Sequence, residues 1–205
     1  MDASELLHDV RLLPVIVIED AARAPDLART LQAAGVGAVE ITLRTAAALD
    51  AIAAMKEAVP DLLVGAGSIR TPADFERVAT AGGQFAVSPG ATPTLAEAAT
   101  LPWVAGASTP SESLALLERG YRLQKFFPAE QNGGVGALKA ISGPIPEVSF
   151  CPTGGVNPAN AREYLALPNV VCVGGSWFVP GDLLAAGDFD AIAALTREAV
   201  QLTRA

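Results

Sequence analysis

Leu123-Gln124-Lys125-Phe126-Phe127-Pro128 is a strand-like apolar run that carries a lysine at its centre. Only three lysines occur in the 205 residues, and the other two, Lys56 and Lys139, fall in Ala-rich helical patterns where a solvated amine is ordinary. In a run of period two, Leu123, Lys125 and Phe127 share one face while Gln124 and Phe126 share the other. Surroundings without water disfavour a charged amine, and a neutral amine attacks carbonyl carbon. The bland alternative is an edge-strand lysine whose tip reaches solvent.

Outward from this run, similar apolar segments recur roughly every twenty to twenty-five residues, at 12–18, 38–43, 62–67, 84–88, 103–107, 123–127, 148–152 and 170–174. Between them lie helical patterns at 24–34, 46–58, 72–81, 92–99, 110–119, 135–141 and 158–165, and a last one covers 188–202. Ser4 precedes a short N-terminal helix, and Thr71-Pro72, Thr109-Pro110 and Asn157-Pro158 read as a capping residue followed by proline in the first turn. Near-continuous Val, Ile and Leu are expected of parallel strands covered by helices. Eight strand–helix units predict a (β/α)8 TIM barrel, one domain over 1–205; an open doubly wound sheet is the alternative. No strand is followed by a dinucleotide glycine fingerprint, which favours the barrel.

Composition narrows the function. A net charge of −8 leaves no basic face for nucleic acid or an anionic membrane. The start, Met1-Asp2-Ala3-Ser4-Glu5, has no signal-peptide pattern, and no run is long enough to span a bilayer, so a cytoplasmic protein is expected. Cys151 and Cys172 are too few for a disulfide framework and read as buried free thiols. With His8 as the single histidine, triad chemistry and histidine-rich metal sites lose their usual residue, and no acidic cluster suggests a metal; neither metal nor cofactor is expected.

In a barrel the site lies at the C-terminal strand ends. The second strand ends Glu40-Ile41-Thr42-Leu43-Arg44, with Glu40, Thr42 and Arg44 alternating onto one face. An inward carboxylate is costly unless paired or used. Either Glu40 and Arg44 form a structural ion pair, or Glu40 moves protons while Arg44 grips a substrate carboxylate. Lys125 favours the second, because imine chemistry needs a proton shuttle. After the seventh strand comes Pro152-Thr153-Gly154-Gly155-Val156, and after the eighth Gly174-Gly175-Ser176. Glycine loops at these two positions suit a phosphate held by backbone N–H groups, although tight turns explain most Gly-Gly pairs. Gly65-Ala66-Gly67-Ser68 reads either as room for substrate or as a barrel top too crowded for larger residues.

Together these segments resemble the class I aldolases that split 2-keto-3-deoxy-6-phosphogluconate (KDPG). The matching stretches are Val39 to Thr45, Val64 to Ser68, Phe85 to Gly90, Lys125-Phe126-Phe127-Pro128-Ala129-Glu130, Cys151 to Gly155 and Gly174-Gly175-Ser176-Trp177, in the family's order and across nearly the whole chain. The resemblance implies a homotrimer of barrels, a small phosphorylated keto acid as substrate, Lys125 as the Schiff-base lysine and Glu40 as the acid/base. It also implies that Arg44, Ser68 and Thr153 hold the pyruvate end, that Phe127 flanks the imine, and that Gly154, Gly155 and Ser176, with Gly175, hold the phosphate. The family usually has threonine where Ser68 stands, and Pro-Gly where the chain reads Ala105-Gly106. Cleavage of 4-hydroxy-2-oxoglutarate or of the C4-epimeric sugar acid, a phosphosugar isomerase and a non-catalytic phosphosugar-binding barrel are the alternatives.

Overall fold

A computed structural model describes residues 2–203. Eight parallel strands follow one another around a barrel: β1 (Leu12–Ile16), β2 (Ala38–Thr42), β3 (Leu63–Gly67), β4 (Phe85–Val87), β5 (Trp103–Ala107), β6 (Leu123–Phe126), β7 (Ser149–Pro152) and β8 (Val173–Gly175). β1 pairs with both β2 and β8, and the seam between β7 and β8 is closed by the bridges Phe150–Val170 and Thr153–Gly174. The barrel expected from the spacing of apolar runs is the fold observed.

Helices cover the outside: α2 (Ala24–Ala33), α3 (Ala48–Ala58), α4 (Pro72–Thr80), α5 (Pro93–Ala98), α6 (Pro110–Leu117), α7 (Gly134–Ser142), α8 (Ala161–Leu165) and α10 (Phe189–Thr203), with α1 (Ala3–Leu6) at the N-terminus. The sequence reading missed α9 (Gly181–Ala186) and a 3-10 turn at Ala21–Arg23. The first helix is capped by Asp2 and not Ser4; the Asp2 N–H donates to Glu5 Oε2 at 3.1 Å, and Ser4 Oγ donates to Asp2. Thr71 and Thr109 cap as expected, each completing a reciprocal box with the acid three residues on. Asn157-Pro158 does not start α8. The Asn157 carbonyl accepts from Asn160 and Ala161, the resulting turn uses up 158–160, and Asn160 becomes the cap. The eighth strand also begins later than expected, because Val171 N–H is committed to the Phe150 carbonyl across the seam.

Two apolar cores result. The outer one, between sheet and helices, takes Phe126, Phe150, Trp103, Phe75 and Tyr164, with Ala105 fully buried among them. The inner one is the barrel floor: Leu13, Ala38, Phe85, Val87, Val104, Leu123, Cys151 and Cys172, closed from below by Ala3, Leu7 and Val10. The neighbouring Cys151 thiol, then burial, push the Cys172 thiol well up. No described helix is long and apolar enough to cross a membrane.

Candidate active site

The site begins with register. Lys125 on β6 stands opposite Gly106 on β5 and Cys151 on β7, two residues beyond floor residue Leu123. Glu40 on β2 stands opposite Val15 and Gly65, two residues beyond floor residue Ala38. Both side chains therefore point inward, one layer above the floor. Lys125 Nζ donates to Glu40 Oε1 at 3.3 Å, with the side chains 7% and 1% exposed. The amine also lies 5.4 Å from the centre of the Phe127 ring. The second carboxylate oxygen, Glu40 Oε2, is buried and has no partner.

The glycines of β3 explain how a carboxylate fits here. A Cβ on Gly67 would stand 1.9 Å from Glu40 Oε1, and one on Gly65 would stand 2.5 Å from the Phe85 ring. Of the two readings of Gly65-Ala66-Gly67-Ser68, the crowded one describes these glycines: neighbouring side chains already fill the space they leave. Gly106 has a similar cause, since a Cβ there would strike the Pro89 carbonyl carbon at 2.3 Å. That loop is fixed by Ser88 Oγ, which accepts from Trp103 Nε1 at 3.0 Å and from the Gly106 amide at 3.3 Å. Sequence reasoning gave Ser88 no role.

Thr42 shares the Glu40 face, but its hydroxyl donates to the Ile16 carbonyl at 3.0 Å and so ties β2 to β1. Arg44 lies past the strand, exposed, with Nε donating to Ser68 Oγ at 3.1 Å. The ion-pair partner of Glu40 is Lys125 and not Arg44. Ser68 is the one described residue other than glycine at positive φ, 61°. A β-branched threonine would hold that backbone at greater cost.

On the far side, Thr153 is buried and bridges Gly174; a Cβ on Gly174 would meet Thr153 Oγ1 at 2.2 Å. Gly154 and Gly155 follow with φ of 94° and 81°, a left-handed pair that suits glycine. The Thr153 and Gly154 carbonyls accept from the Ala129 and Glu130 amides at 2.8 and 3.1 Å. Because C=O and N–H point opposite ways across a trans peptide, the Gly154 and Gly155 N–H groups face away from that loop. Gly175 pairs with Pro14 on the outer face, where the Trp177 ring fills the place of its side chain; only its backbone is left to face a ligand. Ser176 is exposed at the end of β8, its carbonyl accepting from Val179.

An amine and a carboxylate thus stand paired inside a parallel (β/α)8 barrel, an arrangement that suits chemistry on a carbonyl carbon. Residues 3–195 match the family model for KDPG and KHG aldolases, and the chain belongs to that family. It is 50% identical over 202 residues to the KHG/KDPG aldolase of Escherichia coli K12, covering 97% of this chain and 95% of that one. Identity is also 50% with the 2-dehydro-3-deoxy-phosphogluconate aldolase of Dickeya dadantii, covering 97% and 94%. The crystal structure of KDPG aldolase from Legionella pneumophila, with pyruvate captured as a covalent carbinolamine, superposes with a TM-score of 0.93 at 42% identity, covering 96% of this chain and 97% of that one.

Proposed function

We propose that the protein is a class I aldolase that cleaves KDPG to pyruvate and D-glyceraldehyde 3-phosphate, with Lys125 as nucleophile and Glu40 as acid/base. The observation that carries the reading is the buried Lys125–Glu40 contact, with one carboxylate oxygen left without a partner. Lys125 Nζ passes a proton to the paired Glu40 and adds to the C2 ketone; Glu40 returns that proton to the carbinolamine oxygen, which leaves as water, giving an imine and an ionised Glu40. A Glu40 oxygen takes the proton of the C4 hydroxyl, directly or through water. The C3–C4 bond breaks, its electrons pass into the imine to form an enamine, and the aldehyde leaves. Proton return to C3 and addition of water then free pyruvate and the amine, so no net water is consumed.

Arg44 and Ser68 at one side of the mouth suit the substrate carboxylate, with Thr153 across from them and Phe127 against the amine. The outward-turned amides of Gly154 and Gly155, with Gly175 and Ser176, suit the phosphate. Binding energy from that remote phosphate orients the reacting carbons. A homotrimer in a cytoplasmic setting completes the proposal; light scattering at one chain mass would refute the trimer.

Pyruvate release from KDPG in a coupled assay tests the reaction, and borohydride with pyruvate tests the residue. The expected result is a covalent adduct at Lys125, absent in Lys125→Ala. An adduct elsewhere would refute Lys125 as the nucleophile, and insensitivity to borohydride would return the chain to the isomerase or binding readings. The Escherichia coli relative's name supports 4-hydroxy-2-oxoglutarate as a second substrate. The kcat/KM for that acid, which has no phosphate, measured beside that for KDPG, ranks the two.

A further inference from the structure

Glu130 lies outside every role assigned above, yet it touches three separate parts of the C-terminal face. Its carboxylate accepts a hydrogen bond from the Tyr164 hydroxyl on α8. Burial, then that bond and the nearby negative charge, push the Tyr164 phenol far up, so it stays a donor across the working range. Glu130 also lies against two glycines. A Cβ on Gly155 would stand 2.4 Å from Glu130 Cγ, and one on Gly134, at the start of α7, would stand 3.2 Å from both Glu130 Oε1 and Tyr164 Oη. The backbone of the same residue donates to the Gly154 carbonyl at 3.1 Å. From the far side, Asn157 Nδ2 and Asn160 Nδ2 hold the Gly155 carbonyl at 3.0 and 3.1 Å.

Resting on the phosphate-site reading above, we propose that Glu130 is a positioning residue: it clamps the Gly154–Gly155 segment from behind and aims its two amides at the substrate phosphate. A carboxylate behind an anion site would ordinarily repel its ligand. Here the side chain faces away from the outward-turned amides, toward the Tyr164 hydroxyl and the first turn of α7, whose dipole favours negative charge. Tyr164 is fully buried, so the strut is anchored in the outer core although Glu130 itself is exposed. The side chain touches no reacting atom; its effect passes through the loop.

The test compares Glu130→Ala, Glu130→Gln and Tyr164→Phe with the unaltered protein, using KDPG, 4-hydroxy-2-oxoglutarate and calorimetric binding of glycerol 3-phosphate. In Glu130→Ala the ratio of kcat/KM for KDPG to that for 4-hydroxy-2-oxoglutarate falls about tenfold, mostly through KM, and glycerol 3-phosphate affinity falls by a similar factor. Tyr164→Phe moves the same way by roughly threefold. Glu130→Gln, which can still accept from Tyr164, restores the ratio to within about twofold. Equal losses on both substrates would mean a merely structural role and would overturn the inference. So would a Gln variant as impaired as Ala, or unchanged glycerol 3-phosphate binding in Glu130→Ala. Failure of the unaltered protein to release pyruvate from either acid would refute the proposed reaction instead, while glycerol 3-phosphate binding would still decide the role of Glu130.

Discussion

Asp74 and Glu40 are both buried carboxylates, 8% and 1% exposed, and their surroundings differ completely. Asp74 sits in the first turn of α4, where Oδ2 accepts from the Arg70 and Thr71 amides at 3.0 Å and Oδ1 from Arg77 at 3.3 Å. Glu40 accepts one bond from Lys125 on Oε1, and nothing on Oε2. A saturated carboxylate has found its lowest state in the fold. One buried with an oxygen idle carries a cost that folding alone does not explain, and such groups gather where a substrate is to supply the missing partner. Burial is common to both; saturation separates structure from chemistry.

The comparison breaks most severely if the two residues respond alike to amide replacement. Glu40→Gln keeps shape and one acceptor but cannot take a proton, so kcat for KDPG cleavage falls by about 10²- to 10⁴-fold. Asp74→Asn leaves kcat of the folded protein where it was. A drop of less than tenfold in Glu40→Gln would mean that the idle oxygen is not the proton shuttle.

A smaller effect tests how Glu40 is held. Gly67→Ala puts a methyl 1.9 Å from where Glu40 Oε1 lies, so the carboxylate must leave its place beside Lys125. Turnover then falls roughly 10²-fold, at the lower end of what a displaced acid/base costs. Gly37→Ala, just before the same β2, meets nothing within 4 Å and changes neither activity nor stability by more than about 0.5 kcal/mol. Equal behaviour of the two alanine variants would mean that Glu40 relocates without loss.

The barrel was legible because its strands are nearly continuous apolar runs; β5 (Trp103–Ala107) matches its expected bounds residue for residue. The errors lie where particular hydrogen bonds, some within a turn and some across the barrel seam, override simple sequence patterns. Asn157-Pro158 carries a helix-start pattern, but the Asn157 side chain holds the Gly155 carbonyl and its own carbonyl closes a turn. Alternation alone put Lys125 and Glu40 on inward faces. It could not say that Thr42 would spend its hydroxyl on β1, or that the β3 glycines are spaces filled by other strands, because those facts depend on register between strands. Glu130 stood in the motif with Lys125, but its partner Tyr164 is 34 residues away and carried no sequence signal.

The saturated member of the pair gives the smallest effect and one with a definite pH signature. Burial alone would raise the Asp74 pKa; the amides of Arg70 and Thr71, the Thr71 hydroxyl and the Arg77 charge outweigh it and bring it below the ordinary value of 3.8. A carboxyl held lower in the folded state than in the unfolded one contributes stability above the unfolded pKa, and that contribution is lost as pH falls through the folded one. Asp74→Asn should therefore lower the unfolding free energy at pH 7 by about 0.5 to 2 kcal/mol, the range for a lost helix cap. The gap from the unaltered protein should narrow as pH falls below 3.8, where the unfolded carboxyl already holds its proton. Urea titrations at pH 7 and at the lowest pH where both proteins remain folded measure it. A gap that does not change with pH would mean that Asp74 acts through packing rather than charge, and that saturation by donors does not mark a structural carboxylate.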